Sequence, residues 1–293
     1  MAAELYTSFF GFTERPFKIL PDPDFLYWSK EHSKAFAVLE YGLVTRAPLT
    51  VVTGEVGTGK STLIQALLSQ LDQDVTVGLI SNAQGNRGDL LRWVLSALGV
   101  GYDQGADYVM LFNQFQEFVI EEYAADRSVL LIVDEAQNLT METLEELRML
   151  TNINSNKDEL LQVILVGQPE LQEMIARPEL RQFAQRVSAT YHIDPMDTLT
   201  THGYIKHRLM HVGGSGHEIS PQAIQHIFAQ SEGIPRLVNK YCDLALVYAA
   251  ATRSKVVELD ILHELMNDGV VLKSAEPPLF LTDPQTKPQE AAQ

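Results

Sequence analysis

The sequence predicts an α/β protein: a three-layer αβα sandwich around a parallel sheet, followed by a small all-helical domain. Three observations carry this expectation. Apolar strand segments alternate with helical patterns from residue 49 to 193, and such alternation builds right-handed crossovers between parallel strands. Within it, Val129-Leu130-Leu131-Ile132-Val133 is continuously apolar, as a strand covered on both faces must be. From about Thr198 the strand signal fades and helical patterns take over.

Taken in order, residues 1–28 are rich in aromatic residues and proline, including Phe9, Phe10, Phe12, Pro16, Phe17, Pro21, Pro23, Phe25, Tyr27 and Trp28. Proline opposes a long helix, so this stretch is expected to be an extended arm that buries its rings against its own domain. The core is expected over residues 29–196. It opens with a helix from Ser29 to Leu43, which places Tyr27 to His32 near the nucleotide-binding turn that follows, where an adenine contact competes with simple packing of the rings. Leu49 to Thr53 and Val75 to Ser81 read as strands, Asp89 to Leu98 and Asp107 to Tyr123 as helices. After the apolar strand at Val129, Thr140 caps a helix to Leu150, Leu160 to Gly167 is a buried strand, Pro178 opens a helix, and Ala189 to Ile193 is the last strand. The helical domain is expected over residues 197–270, with helices at Leu199 to His211, Pro221 to Glu232, Pro235 to Ala251 and Leu259 to Asn267. Residues 271–293 carry prolines and few apolar residues and are expected to be unstructured.

Composition narrows the function classes. A length of 293 residues with 45% hydrophobic and 20% charged residues suits a large α/β unit plus a smaller one. The net charge of −16 disfavours broad attraction to a phosphate backbone, so nucleic acid is a disfavoured partner. The single cysteine, Cys242, forms no internal disulfide and is expected to pack in the core, in keeping with a reducing compartment. No charged-then-apolar leader and no uncharged apolar run near the ~20 residues of a bilayer span is evident, so a cytoplasmic protein is expected.

The chemistry centres on Gly54-Glu55-Val56-Gly57-Thr58-Gly59-Lys60-Ser61 between a strand and the helical pattern that begins at Thr62. This is a P-loop: its glycines let backbone N–H groups converge on a polyphosphate at a helix N-terminus. Lys60 supplies charge to the β- and γ-phosphates, and the Ser61 hydroxyl is a Mg²⁺ ligand. Asp134, at the end of the most apolar strand, is placed to hold Mg²⁺ through water, and the adjacent Glu135 to polarise an attacking water. Gln168, after another buried strand, would project between the terminal phosphate and that water. Arg236 lies in the first turn of a helix, where a cation opposes the helix dipole and a facing phosphate would compensate. Arg186, and after it Arg181, are candidates to complete a neighbouring subunit's site; pairing with the acidic surface is the competing reading for both. His202, His207 and His211 have near-helical spacing without cysteine or carboxylate partners, so no zinc site is expected there.

Together these features resemble an AAA+ ATPase, with Walker A, Walker B, sensor 1, arginine finger and sensor 2 at the residues just named, over roughly residues 29 to 268. More narrowly, the strings from Phe10 to Phe17 and Pro21 to Tyr27, the Walker A string, Asp134-Glu135-Ala136-Gln137-Asn138-Leu139 and Val166-Gly167-Gln168-Pro169-Glu170-Leu171 are similar to the general secretion pathway A (ExeA-like) family. The resemblance implies ATP and Mg²⁺ as ligands, a homo-oligomer or ring, and protein partners in assembling or remodelling secretion, pilus or polysaccharide-export machinery. Related ATPases in replication initiation and transposition supply the alternative, a DNA-associated regulatory ATPase. Members devoted to type II secretion continue into a transmembrane helix and a peptidoglycan-binding region, whereas this sequence continues into a short polar tail. Any attachment to the inner face of the membrane is therefore expected through a partner.

Overall fold

The computed structural model describes residues 2–20, 22–81, 89–155 and 158–271. The expected unstructured tail therefore lies outside the described residues apart from its first position, as does Pro21 of the arm.

Helix α1 (Ala2–Phe10) and a 3-10 turn at Pro23–Phe25 precede α2 (Lys30–Val44). Then follow β1 (Leu49–Gly54), α3 (Lys60–Leu68), β2 (Val75–Ser81), α4 (Asp89–Ala97), α5 (Tyr108–Ala124), β3 (Ser128–Asp134) and α6 (Met141–Leu150). A two-rung antiparallel ladder, β4 (Asn154–Ser155) with β5 (Asp158–Glu159), leads to β6 (Leu161–Gly167), α7 (Pro169–Ile175), α8 (Arg181–Arg186) and β7 (Val187–Ile193). The chain closes with α9 (Thr198–His211), α10 (Pro221–Ser231), α11 (Pro235–Ala251) and α12 (Leu259–Asn267).

The strands form one parallel sheet in the order β2-β3-β6-β1-β7. Its register explains the continuous apolarity of β3. Val129, Leu131 and Val133 pack with α4, α5 and α6 on one face, while Leu130 and Ile132 pack with α2 and α3 on the other. Successive side chains point to opposite faces, so a strand covered twice has no polar position to spare. Because β1 is internal, its carboxyl end lies beside that of β6 and one strand away from that of β3, and the three post-strand turns converge there.

The arm departs from the expectation of an extended segment, since α1 is a regular helix. Its residues precede the first proline, Pro16, so nothing in α1 blocks helix formation. Tyr6, Phe12, Phe17 and Phe25 are buried in one cluster with α9, α10, α11 and α12. Most of the arm thus packs on the C-terminal helices, while its end reaches the sheet side, where Leu26 packs with the α2–α3 cluster and Trp28 on Phe36. Cys242 lies fully buried in the same cluster, where burial pushes its thiol pKa up. Two further elements were not foreseen: α7, whose Pro169 occupies the first helical position, and the β4–β5 ladder.

Candidate active site

The Gly54–Ser61 turn joins β1 to α3. Gly57 and Gly59 adopt φ of 85° and 98°, a left-handed region open to glycine with little strain. Gly59 is the N-cap of α3, so the first N–H groups of that helix, with no partner from a preceding turn, face the cleft. Lys60 is buried, and its ammonium donates to the carbonyls of Gly54 (2.7 Å) and Glu55 (2.9 Å), folding back across the loop. Burial pushes the Lys60 pKa down, against the pull of Glu135 and Asp134. Thr58 closes the loop with a hydroxyl bond to the Glu55 carbonyl, 2.9 Å. Glu55 itself is exposed and contributes through its backbone, whereas Val56, Ser61 and Thr62 line the cleft.

The end of β3 supplies the carboxylates. Asp134 accepts from the Ser61 hydroxyl at 3.1 Å through Oδ2, and from the Glu135 N–H at 2.9 Å through Oδ1. A hydroxyl and a carboxylate from two different elements therefore share one point, the donor set a hard divalent cation prefers. Glu135 has φ 54°, an uncommon backbone for a non-glycine residue. Its Oε2 accepts from Gln137 Nε2 at 2.5 Å and from Gln168 Nε2 at 3.1 Å. Burial opposes ionisation of Glu135, but these two bonds and the charge of Lys60 outweigh it, so its carboxyl titrates below the ordinary range. The site thus presents an ionised carboxylate, held by two amides, beside the loop.

Gln137 escaped the sequence reading as a site residue. It also accepts the Gln168 N–H at 3.0 Å, which ties the turns after β3 and β6 together. The only signal for it was its place in a motif string; the bond partners are 31 residues apart in the chain.

Arg236 is where α11 meets the loop. Its N–H donates to the Gly57 carbonyl at 3.2 Å, and a Cβ built on Gly57 would lie 2.5 Å from that of Arg236. Gly57 is thus required by the helical unit as well as by the turn. The cleft, about 320 Å³, is bounded by the loop, Glu135, Arg236 of α11, Met196 and Tyr204 of the helical side, and Leu26 of the arm.

Arg181 and Arg186 do not join this constellation within one chain. Val187, next to Arg186, pairs with Leu49 at the start of β1, so α8 sits at the amino edge of the sheet, opposite the loop. Arg186 bonds to Glu159 at 3.0 Å and to Asn152. Arg181 is exposed, and among the described residues no ion pair engages it. Arg186 is thus paired within its own chain, while Arg181 is exposed.

Among known proteins, the AAA domain family matches residues 44–175. General secretion pathway protein A of Aeromonas hydrophila is 42% identical over 258 residues, covering 88% of this chain and 47% of that protein. The chain therefore spans about half the length of that relative. Solved structures share the fold: Cdc6p from Pyrobaculum aerophilum at 15% identity (TM-score 0.64, 85% of this chain, 71% of that one) and the Thermotoga maritima RuvB Holliday junction branch migration motor at 18% (TM-score 0.54, 86% and 73%). The P-loop, the β3 carboxylates, the Gln168 amide and the sequence match converge: the chain carries an AAA domain over residues 44–175 and is similar over 258 residues to general secretion pathway protein A.

Proposed function

We propose that the protein uses ATP binding and hydrolysis to assemble or remodel a secretion, pilus or polysaccharide-export complex, working as an oligomer with ATP between subunits. The observation that carries this reading is the Arg236–Gly57 contact, because it joins the helical unit directly to the phosphate-binding loop. A triphosphate in the loop would draw Lys60 from its carbonyls and engage Arg236, so the seating of the helices would follow the state of the nucleotide. Ser61 and Asp134 would hold Mg²⁺, which neutralises phosphate charge as the terminal bond breaks. Glu135 would orient and deprotonate the attacking water, with Gln168 fixing its carboxylate. Arg181 would reach the nucleotide of an adjacent subunit and stabilise charge in the transition state.

Among the described residues no helix is long and apolar enough to cross a membrane. The proposed place of work is the cytoplasmic face of the inner membrane, reached through a partner. The test compares the assembly size of the Glu135→Gln variant with and without ATP, followed by identification of proteins retained by its ATP-bound form. ATP-dependent oligomers that retain components of an export complex support the proposal. A monomer with turnover independent of protein concentration refutes the shared site, and hydrolysis stimulated by duplex DNA with steep salt dependence would replace the export role by a DNA-associated one.

A further inference from the structure

His32, in the first turn of α2, is the other side chain locked onto the loop. It is 7% exposed, and its ring bridges two groups. Nε2 lies 2.9 Å from the Thr58 carbonyl, and Nδ1 lies 2.7 Å from the Ser29 hydroxyl. A carbonyl only accepts, so Nε2 carries the hydrogen and Nδ1 accepts from Ser29. Ser29 in turn caps α2 by accepting the His32 N–H at 3.2 Å. The same turn is held to the sheet through Glu31, which accepts from the Tyr191 hydroxyl of β7 at 2.6 Å. Burial pushes the His32 pKa down, which keeps the ring neutral and in this single tautomer.

The consequence lies in the peptide that follows Thr58. In a trans peptide the C=O and the next N–H point in opposite directions. Holding the Thr58 carbonyl against His32 therefore turns the Gly59 N–H the other way, into the phosphate cradle. The fit is close: a Cβ on Gly59 would stand 2.9 Å from Nε2, so a side chain there would crowd the ring. The sequence reading had this region near the nucleotide only as a possible base contact. The geometry assigns it a different task.

We propose that His32 is a positioning residue for nucleotide binding: through Nε2–H it sets the Thr58–Gly59 peptide of the P-loop so that the Gly59 amide faces the β- and γ-phosphates. This inference rests on the reading of the loop as the ATP site and adds a residue that lines the same cleft and acts through the loop backbone. It separates two replacements that a purely structural role would treat alike. Glutamine carries a donor at nearly the reach of Nε2, and leucine fills similar space with none.

The experiment measures binding of a fluorescent ATP analogue and steady-state hydrolysis on the full chain, with thermal melts as the folding control. His32→Leu is expected to weaken binding roughly ten-fold, as loss of one buried bond and misorientation of one amide would do, and to raise KM more than it lowers kcat. His32→Gln is expected to recover affinity to within about three-fold of the unaltered protein. Equal affinity of His32→Leu and the unaltered protein, or equal loss in His32→Leu and His32→Gln, overturns the assignment. Should His32→Leu fail to fold, Ser29→Ala decides: releasing Nδ1 is expected to weaken binding about three-fold, and unchanged affinity overturns the proposal. If the unaltered protein does not bind the analogue, the ATP-site reading fails instead, so the two failures are distinguishable.

Discussion

The sheet core and the N-terminal arm reach burial by opposite routes. In β3, consecutive residues are enough: Val129 to Val133 send alternate side chains into two apolar layers supplied by nearby crossover helices. The arm instead crosses about 200 residues of sequence to find its partners. Tyr6 donates to Asp243 at 2.5 Å and Arg15 pairs with the same carboxylate. Arg208 donates to the Pro16 carbonyl at 2.6 Å, and Asn239 to the Lys18 carbonyl at 3.3 Å. Phe25 packs on His211 and Tyr27 on His207, so a line of rings continues this seam toward the cleft. The contrast shows that the cleft has two walls of different origin, a sheet wall of chemistry and a wall made jointly by the arm and the C-terminal helices.

The largest expected difference between the walls comes from removing the sheet wall's cation. Lys60→Ala should abolish ATP binding while leaving thermal unfolding nearly unchanged, because among the described residues the hydrogen bonds of its ammonium go to loop carbonyls. Unimpaired binding by calorimetry would remove Lys60 from the site. Glu135→Gln should lower turnover on the order of 10²–10⁴-fold with binding retained, as expected when a general base is lost but an amide of the same shape remains. Phosphate release near the unaltered rate would show that another group takes the proton.

On the other wall, Phe17→Ala empties a fully buried ring position and should cost about 3–5 kcal/mol. Hydrogen exchange should then rise in α9–α12 before it rises in the sheet; simultaneous loss of protection in β3 would mean the two walls form one cooperative unit. The smallest effect is expected from Arg15→Ala. The Arg15 side chain is 41% exposed and Asp243 keeps its bond from Tyr6, so the change should stay within about 1 kcal/mol and shrink further in high salt. A larger, salt-insensitive loss would promote that pair from a surface contact to a latch between arm and helices.

Much of the sheet wall is legible in the residues because its determinants are local. The strand–glycine turn–helix order announces the loop, and an unbroken apolar strand ending in Asp134-Glu135 announces the acidic edge. The helix cap at Thr140 was likewise readable, since its side chain bonds within one turn of itself. Less was visible where partners are distant. Proline suggested an extended arm and concealed α1. The pairing of Arg186 with Glu159, 27 residues away, has no local signature. Gln137 and His32 carried no spacing signal at all, because each acts through a backbone group brought to it by the sheet order.

By itself, then, the sequence determined the alternating α/β architecture, the phosphate loop and the carboxylates beside it, all from patterns spanning a few residues. Only the tertiary structure decided which helices the arm covers, which arginine remains accessible, and how His32, Gln137 and Arg236 grip the loops. The physical reason is range. Periodicity and turn chemistry act between near neighbours, whereas a hydrogen bond between side chains tens or hundreds of residues apart exists only once the sheet and its layers have brought them together.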